Sequence, residues 1–121
     1  MTAPQTFELL DDDRAVVVEG WLLATASSAE EGKQRWCDMS LYRTVSGKYV
    51  VHGAGMTNVP GEVTRPWVNI CDTPTALVAT LTRRAADSGV KYIPFVNRAL
   101  LLHASIQDTA VHDAYYTQHV A

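Results

Sequence analysis

Four histidines, two cysteines, a group of carboxylates and several aromatic rings are the side chains of this sequence that could do chemistry. His112 and His119 are seven positions apart, and two helical turns separate such positions by roughly 10 Å, so they need a third element to hold one metal ion. With Tyr115 and Tyr116 between them, they form instead a polar and aromatic helix face suited to a partner. His103 falls on an apolar helical stripe, where a hydrogen-bonded core histidine is expected. His52 lies in a strand and is open to either a core or a catalytic role.

Cys37 and Cys71 are 34 positions apart, in no metal-ligand spacing, and two thiols make no disulfide framework in a chain of 121 residues. They read as reduced structural cysteines. Neither has an activating sequence context, and Gly-x-Ser-x-Gly is absent. A catalytic group would have to be assembled from distant residues, such as one cysteine with His52 and Asp38. His52-Gly53-Ala54-Gly55 contains the chain's single Gly-x-Gly, but a loop with Pro60 follows it where a nucleotide fingerprint requires a helix N-terminus. Gly32-Lys33 and Gly47-Lys48 are followed by Gln34 and Tyr49, so no phosphate loop of the GK[ST] type exists. No cofactor or metal is expected.

Net charge of −3 conceals an asymmetry: residues 1–31 hold Glu8, Asp11, Asp12, Asp13, Glu19, Glu30 and Glu31 against Arg14 alone. Generic nucleic-acid binding is not expected, because it rests on a concentrated basic face, and only Arg83-Arg84 with scattered cations could supply one. The acidic groups Asp11, Asp12, Asp13, Glu30 and Glu31 could in principle mimic phosphate. They flank a strand that spans about 35 Å at roughly 3.3 Å per residue, so two separate solvated turns are expected unless Gly20 folds the strand.

Elements of two kinds must position these groups. The first half is β-rich. Residues 15–25 are β-branched and aromatic, with Gly20 marking a bulge or bend, and residues 7–10 supply a short partner strand across the Asp11-Asp12-Asp13 turn. Residues 35–44 alternate, Cys37, Met39 and Leu41 against Trp36, Asp38, Ser40 and Tyr42, so one face is core. Val45-Ser46-Gly47 predicts a hairpin into residues 48–54, and a loop with Pro60 and Gly61 leads to a further strand over 67–71. The second half changes period. Thr73-Pro74 predicts a helix start, with a helix over 74–87, and from Pro94 the positions Val96, Ala99, Leu100, His103, Ala104, Gln107, Val111, Ala114 and Tyr115 keep helical spacing, with Asp108 a break and new cap.

The predicted architecture is a single α+β domain over residues 1–121, residues 1–5 flexible: an antiparallel meander of four to five strands with two to three helices on one face. No signal segment or span is seen, so a cytoplasmic location is expected. Trp21, Trp36, Tyr42, Tyr49 and Trp67 are a large aromatic load for one small sheet. Because Trp36 and Tyr42 oppose the core-facing residues, one aromatic set is expected on an outer face, where interfaces favour it. The leading expectation is a non-catalytic interaction domain that binds a protein partner, or itself as a homodimer, through Trp36, Tyr42, Trp21, Tyr49, Tyr115 and Tyr116. Two alternatives stand beside it. One is an inhibitor or accessory protein of a nucleic-acid-handling machine, acting by acidic mimicry or through Arg83 and Arg84. The other is a small enzyme using His52, His103 or a cysteine.

Overall fold

The computed structural model describes residues 2–82 and 95–117. Strands β1 (Gln5–Asp11), β2 (Arg14–Ser27), β3 (Arg35–Thr44), β4 (Tyr49–Thr57) and β5 (Arg65–Cys71) precede helices α1 (Pro74–Thr82), α2 (Phe95–Ser105) and α3 (Thr109–Tyr116). The strands form one antiparallel meander in the order β1-β2-β3-β4-β5. This is the α+β order that the sequence predicts, strands first and helices packed on them afterwards.

The sheet is curled into a half-barrel. β1 pairs only with Arg14 to Gly20 of β2, and the β2–β3 register then shifts between Leu22 and Ala24. A bulge at this point bends the strand and increases its twist. The β1–β2 tip thereby reaches β5: Asp12 N–H donates to the Pro66 carbonyl at 2.8 Å, and Val68 N–H to the Asp11 carboxylate at 3.3 Å. The strand order of side chains divides the sheet into two faces. On the outer one, Cys37, Met39, Leu41, Tyr49, Val51 and Cys71 pack against Leu77, Leu81, Leu101 and Val111 of the helices. On the inner one, Leu9, Val18, Tyr42 and Val50, flanked by Phe7, Val16 and Val68, draw on all five strands.

The caps follow the sequence. Thr73 Oγ1 accepts from Ala76 N–H at 3.0 Å, with Pro74 at the first helical position where its missing N–H costs nothing. Asp108 caps α3, its side chain accepting from Ala110 and Val111 N–H. The part of the first helix predicted beyond Thr82 lies outside the described residues.

Two expectations are corrected. The stripe Val96, Ala99, Leu100, His103 does not face the core; those four are exposed, and α2 buries Asn97, Leu101 and Ser105 instead. The reason is polar: Asn97 Nδ2 donates to the carbonyls of Ala26 at 3.2 Å and Cys37 at 3.1 Å, where β2 and β3 part. Asn97, fully buried, adds a donor to these two strand carbonyls, and this sets which side of α2 faces the sheet. His103 is therefore a surface residue, not a core histidine.

The second correction concerns the aromatic face. Tyr42 and Trp36 lie on the inner face, while Trp21 pairs across from Arg43 and so shares the outer side with Tyr49. Tyr42 and Tyr49 are only 7% and 1% exposed. Tyr42 is covered by β1, its ring centroid 4.7 Å from that of Phe7, so the curl of the sheet hides the ring that the helices do not. Tyr49 lies under the helices. Neither ring offers a surface to a partner in this fold.

Candidate functional site

Past Gly20 strand β2 has no β1 partner, and the half-barrel opens into a mouth. The pairing register sets the side chains there: Thr25, Ser40 and His52 stand side by side on β2, β3 and β4, and Ser27, Asp38 and Ala54 form the next row. These six, with Leu100 of α2 and flanking Ala26 and Met39, line an open depression of about 420 Å³. That volume is within the range of small-molecule sites, which favour the mouths of β-barrels.

His52 is the reactive group of this row. Burial lowers its pKa from the usual histidine value, opposed by a hydrogen bond from the ring to the Leu10 carbonyl, so the ring is neutral at physiological pH. Nε2 is buried and has no hydrogen-bond partner among the described residues. The remaining groups are oxygens. Ser27 Oγ donates to the Asp38 carboxylate at 2.5 Å, and no cation pairs with Asp38 among the described residues. Ser40 faces His52 directly across the strands, yet no hydrogen bond joins them, so a nucleophile and base in contact are not present.

The cysteine arrangements considered from the sequence are excluded by parity. Cys37 and Cys71 point to the outer face, away from Asp38 and His52. Burial raises both thiols, that of Cys37 against a hydrogen bond from Ala54 and that of Cys71 against one from Thr80, so neither is poised as a thiolate.

The other predicted residues fall in separate places. Asp11 is tied to Arg14 at 2.9 Å and to Val68, which makes it part of the barrel closure; Asp12 and Asp13 lie at the same turn. Glu30 and Glu31 are in the β2–β3 loop, with Glu30 at 3.9 Å from Lys33. Trp21 donates from Nε1 to the Thr2 carbonyl at 2.8 Å, and Trp36 is half-buried. Tyr115 and Tyr116 are exposed, their rings 4.9 Å apart edge to face, with His112 4.7 Å from Tyr116. Arg83, Arg84 and His119 lie outside the described residues. Among the described residues no cluster of histidine, cysteine and carboxylate could hold a metal ion, and no helix is long and apolar enough to cross a membrane.

Sequence reasoning passed over Thr25, Ser27 and Ser40. Strict alternation made them look like the solvated side of a half-buried strand; the sign that could have found them is His52, an imidazole paired with Ser40 and on the same side as Asp38.

Comparison with protein-family models, with curated proteins and with solved structures finds no match to this chain. Its function has to be read from its own side chains.

Proposed function

We propose that this protein is a binding domain for a small molecule, taken up at the half-barrel mouth among Thr25, Ser27, Asp38, Ser40 and His52. The observation that carries this reading is the open polar depression of about 420 Å³ that these five side chains line. Leu100 and Ala54 give the ligand an apolar wall.

The test is nitrogen-detected NMR of the imidazole during titration with a panel of neutral alcohols and amides. The expected result is a His52 ring signal that moves on binding. His52→Phe should weaken binding by about tenfold or more. A ring unmoved by every compound tested sinks the proposal.

The exposed Tyr115–Tyr116 pair supports a second reading, in which α3 docks on a protein or on a second copy of the chain. Sedimentation over a range of micromolar concentrations should show association that Tyr115→Ser with Tyr116→Ser removes. A concentration-independent monomer would take away the self-association form of this reading.

A further inference from the structure

Strand β1 is paired on one side only among the described residues. Asp11 and Arg14 close a two-residue turn and so form a hydrogen-bonded pair, and the pairs Leu9 with Val16 and Phe7 with Val18 repeat it. The backbone groups of the even positions therefore point away from β2. Two contacts at the tip agree: Asp12 N–H donates to the Pro66 carbonyl, and the Leu10 carbonyl accepts from the His52 ring. Further from the tip, Thr6 and Glu8 each turn an N–H and a C=O toward the open edge, with no backbone partner there among the described residues. The side chains beside that edge are acidic and apolar. Thr6, Glu8 and Leu10 share the outer side with their β2 partners Glu19, Val17 and Ala15, and all six are exposed, Val17 at 66% and Leu10 at 49%. Strand β1 gives no residue to the cluster under the helices. Residues 5–20 hold Glu8, Asp11, Asp12, Asp13 and Glu19 against Arg14, which is tied to Asp11.

We propose that β1 accepts a further strand from another protein: an extended segment with lysine or arginine at every second position and β-branched residues between them. Such a segment continues the ladder through the N–H and C=O groups of Thr6 and Glu8, main-chain bonds supplying affinity and alternate side chains specificity. Its cations fall on the outer side, their aliphatic stems over Leu10 and Val17 and their charges beside Glu8 and Glu19. Its other side chains extend the row of Phe7 and Leu9 on the inner side. Charge selects the partner. An acidic segment would meet like charges, and a second copy of the chain is disfavoured in the same way, because antiparallel pairing about Glu8 sets the two Glu8 side chains opposite each other. No residue of β1 lines the half-barrel mouth, so this edge stands or falls independently of ligand binding there.

Amide hydrogen exchange and NMR titration with two blocked peptides, acetyl-Lys-Val-Lys-Val-Thr-Val-Lys-amide and acetyl-Glu-Val-Glu-Val-Thr-Val-Glu-amide, test this. In the chain alone the amides of Phe7 and Leu9 should be protected by β2, and those of Thr6 and Glu8 should exchange freely. The basic peptide should slow exchange at Thr6 and Glu8, bind about tenfold or more tightly than the acidic one, and lose most of that advantage as salt rises from about 0.02 M to about 0.5 M. Glu8→Gln keeps the edge and removes one charge, so it should weaken binding by about two- to fivefold. Glu8→Pro removes the outward N–H without breaking a bond to β2, a change that edge strands tolerate, and should abolish binding. If the proline variant loses its dispersed amide signals, exchange on the unaltered chain decides alone. Thr6 and Glu8 protected in the dilute chain would mean that another part of the chain holds the edge, and protection that grows with protein concentration would mean that a second copy does; either result overturns the proposal. So does a basic peptide that binds no better than the acidic one, or one that binds without slowing Thr6 and Glu8, which would be attraction of charge without strand pairing.

Discussion

Gly20→Ala should be among the most damaging single substitutions in this protein, lowering stability by about 3 kcal/mol or more. A Cβ placed on Gly20 would meet the Arg43 carbonyl oxygen at 2.0 Å and the Thr44 Cα at 2.8 Å. Both are backbone atoms of β3, so no side chain can swing aside, and relief requires β2 and β3 to move apart where β2 leaves β1. That movement would open the inner cluster of Leu9, Val18, Tyr42 and Val50. For a chain of this size the loss corresponds to a fall in Tm of more than about 10 °C. Two other strand glycines calibrate the result. At Gly53 the added atom would meet the Trp67 ring at 2.3 Å, an obstacle that is a side chain, so Gly53→Ala should cost less than Gly20→Ala. At Gly55 nothing lies within 4 Å, so Gly55→Ala should be neutral or slightly stabilising through the unfolded chain. Thermal unfolding of the three variants checks the order, and a Gly20→Ala protein as stable as Gly55→Ala would disprove the close-approach account.

The same glycine shows what could be read from the sequence and what could not. Gly20 within a β-rich run signals a bend, and the bend is there, but the bulge falls two residues later, between Leu22 and Ala24. Strand faces were legible because alternation is a local property: Cys37, Met39 and Leu41 are buried on one side as their period of two demands. The Val45-Ser46-Gly47 turn, the Thr73-Pro74 helix start and the Asp108 cap were legible for a similar reason, since each depends on residues within one turn. Curvature was not, because the approach of β1 to β5 joins residues more than fifty positions apart, and it decides that Tyr42 is covered. The face of α2 was misread because hydrophobicity placed Val96 and Leu100 inward, while the buried anchor is Asn97. The mouth was half legible, with His52 and Asp38 visible as candidates but their neighbours Thr25, Ser27 and Ser40 indistinguishable from ordinary outward-facing polar residues until the register was known.

Asp108→Ala should destabilise the fold by about 3 kcal/mol, while Asp108→Asn should cost about 1 kcal/mol. The carboxylate, 6% exposed, accepts from four donors: Arg43 Nη1 at 3.1 Å, Tyr49 OH at 3.0 Å, and the N–H groups of Ala110 and Val111 at 3.0 and 3.2 Å. It thus fastens α3 to β3 and β4, and alanine removes the helix cap while leaving a buried tyrosine hydroxyl without its acceptor. Arg43 is 39% exposed and can turn to water, so its share of the loss is small. Asparagine keeps one oxygen for the cap and for Tyr49 and forfeits mainly the charge. The same contact makes an alkaline signature. Burial first, then the hydrogen bond and negative charge of Asp108 opposed by Arg43, push the Tyr49 hydroxyl up to about 12. An unfolded tyrosine ionises near pH 10, so the folded state holds the proton more tightly, and this stability is complete below about pH 10 and is lost as pH rises toward 12. Over that interval the loss is about 2–3 kcal/mol, at 1.36 kcal/mol per pKa unit. Tyr49→Phe should flatten the alkaline decline relative to the unaltered chain. Denaturant midpoints measured from neutral to alkaline pH separate the cases: parallel curves for the two proteins would show that Tyr49 is not held by Asp108, and a fully additive double substitution with Asp108→Ala would show that the two side chains do not share one bond.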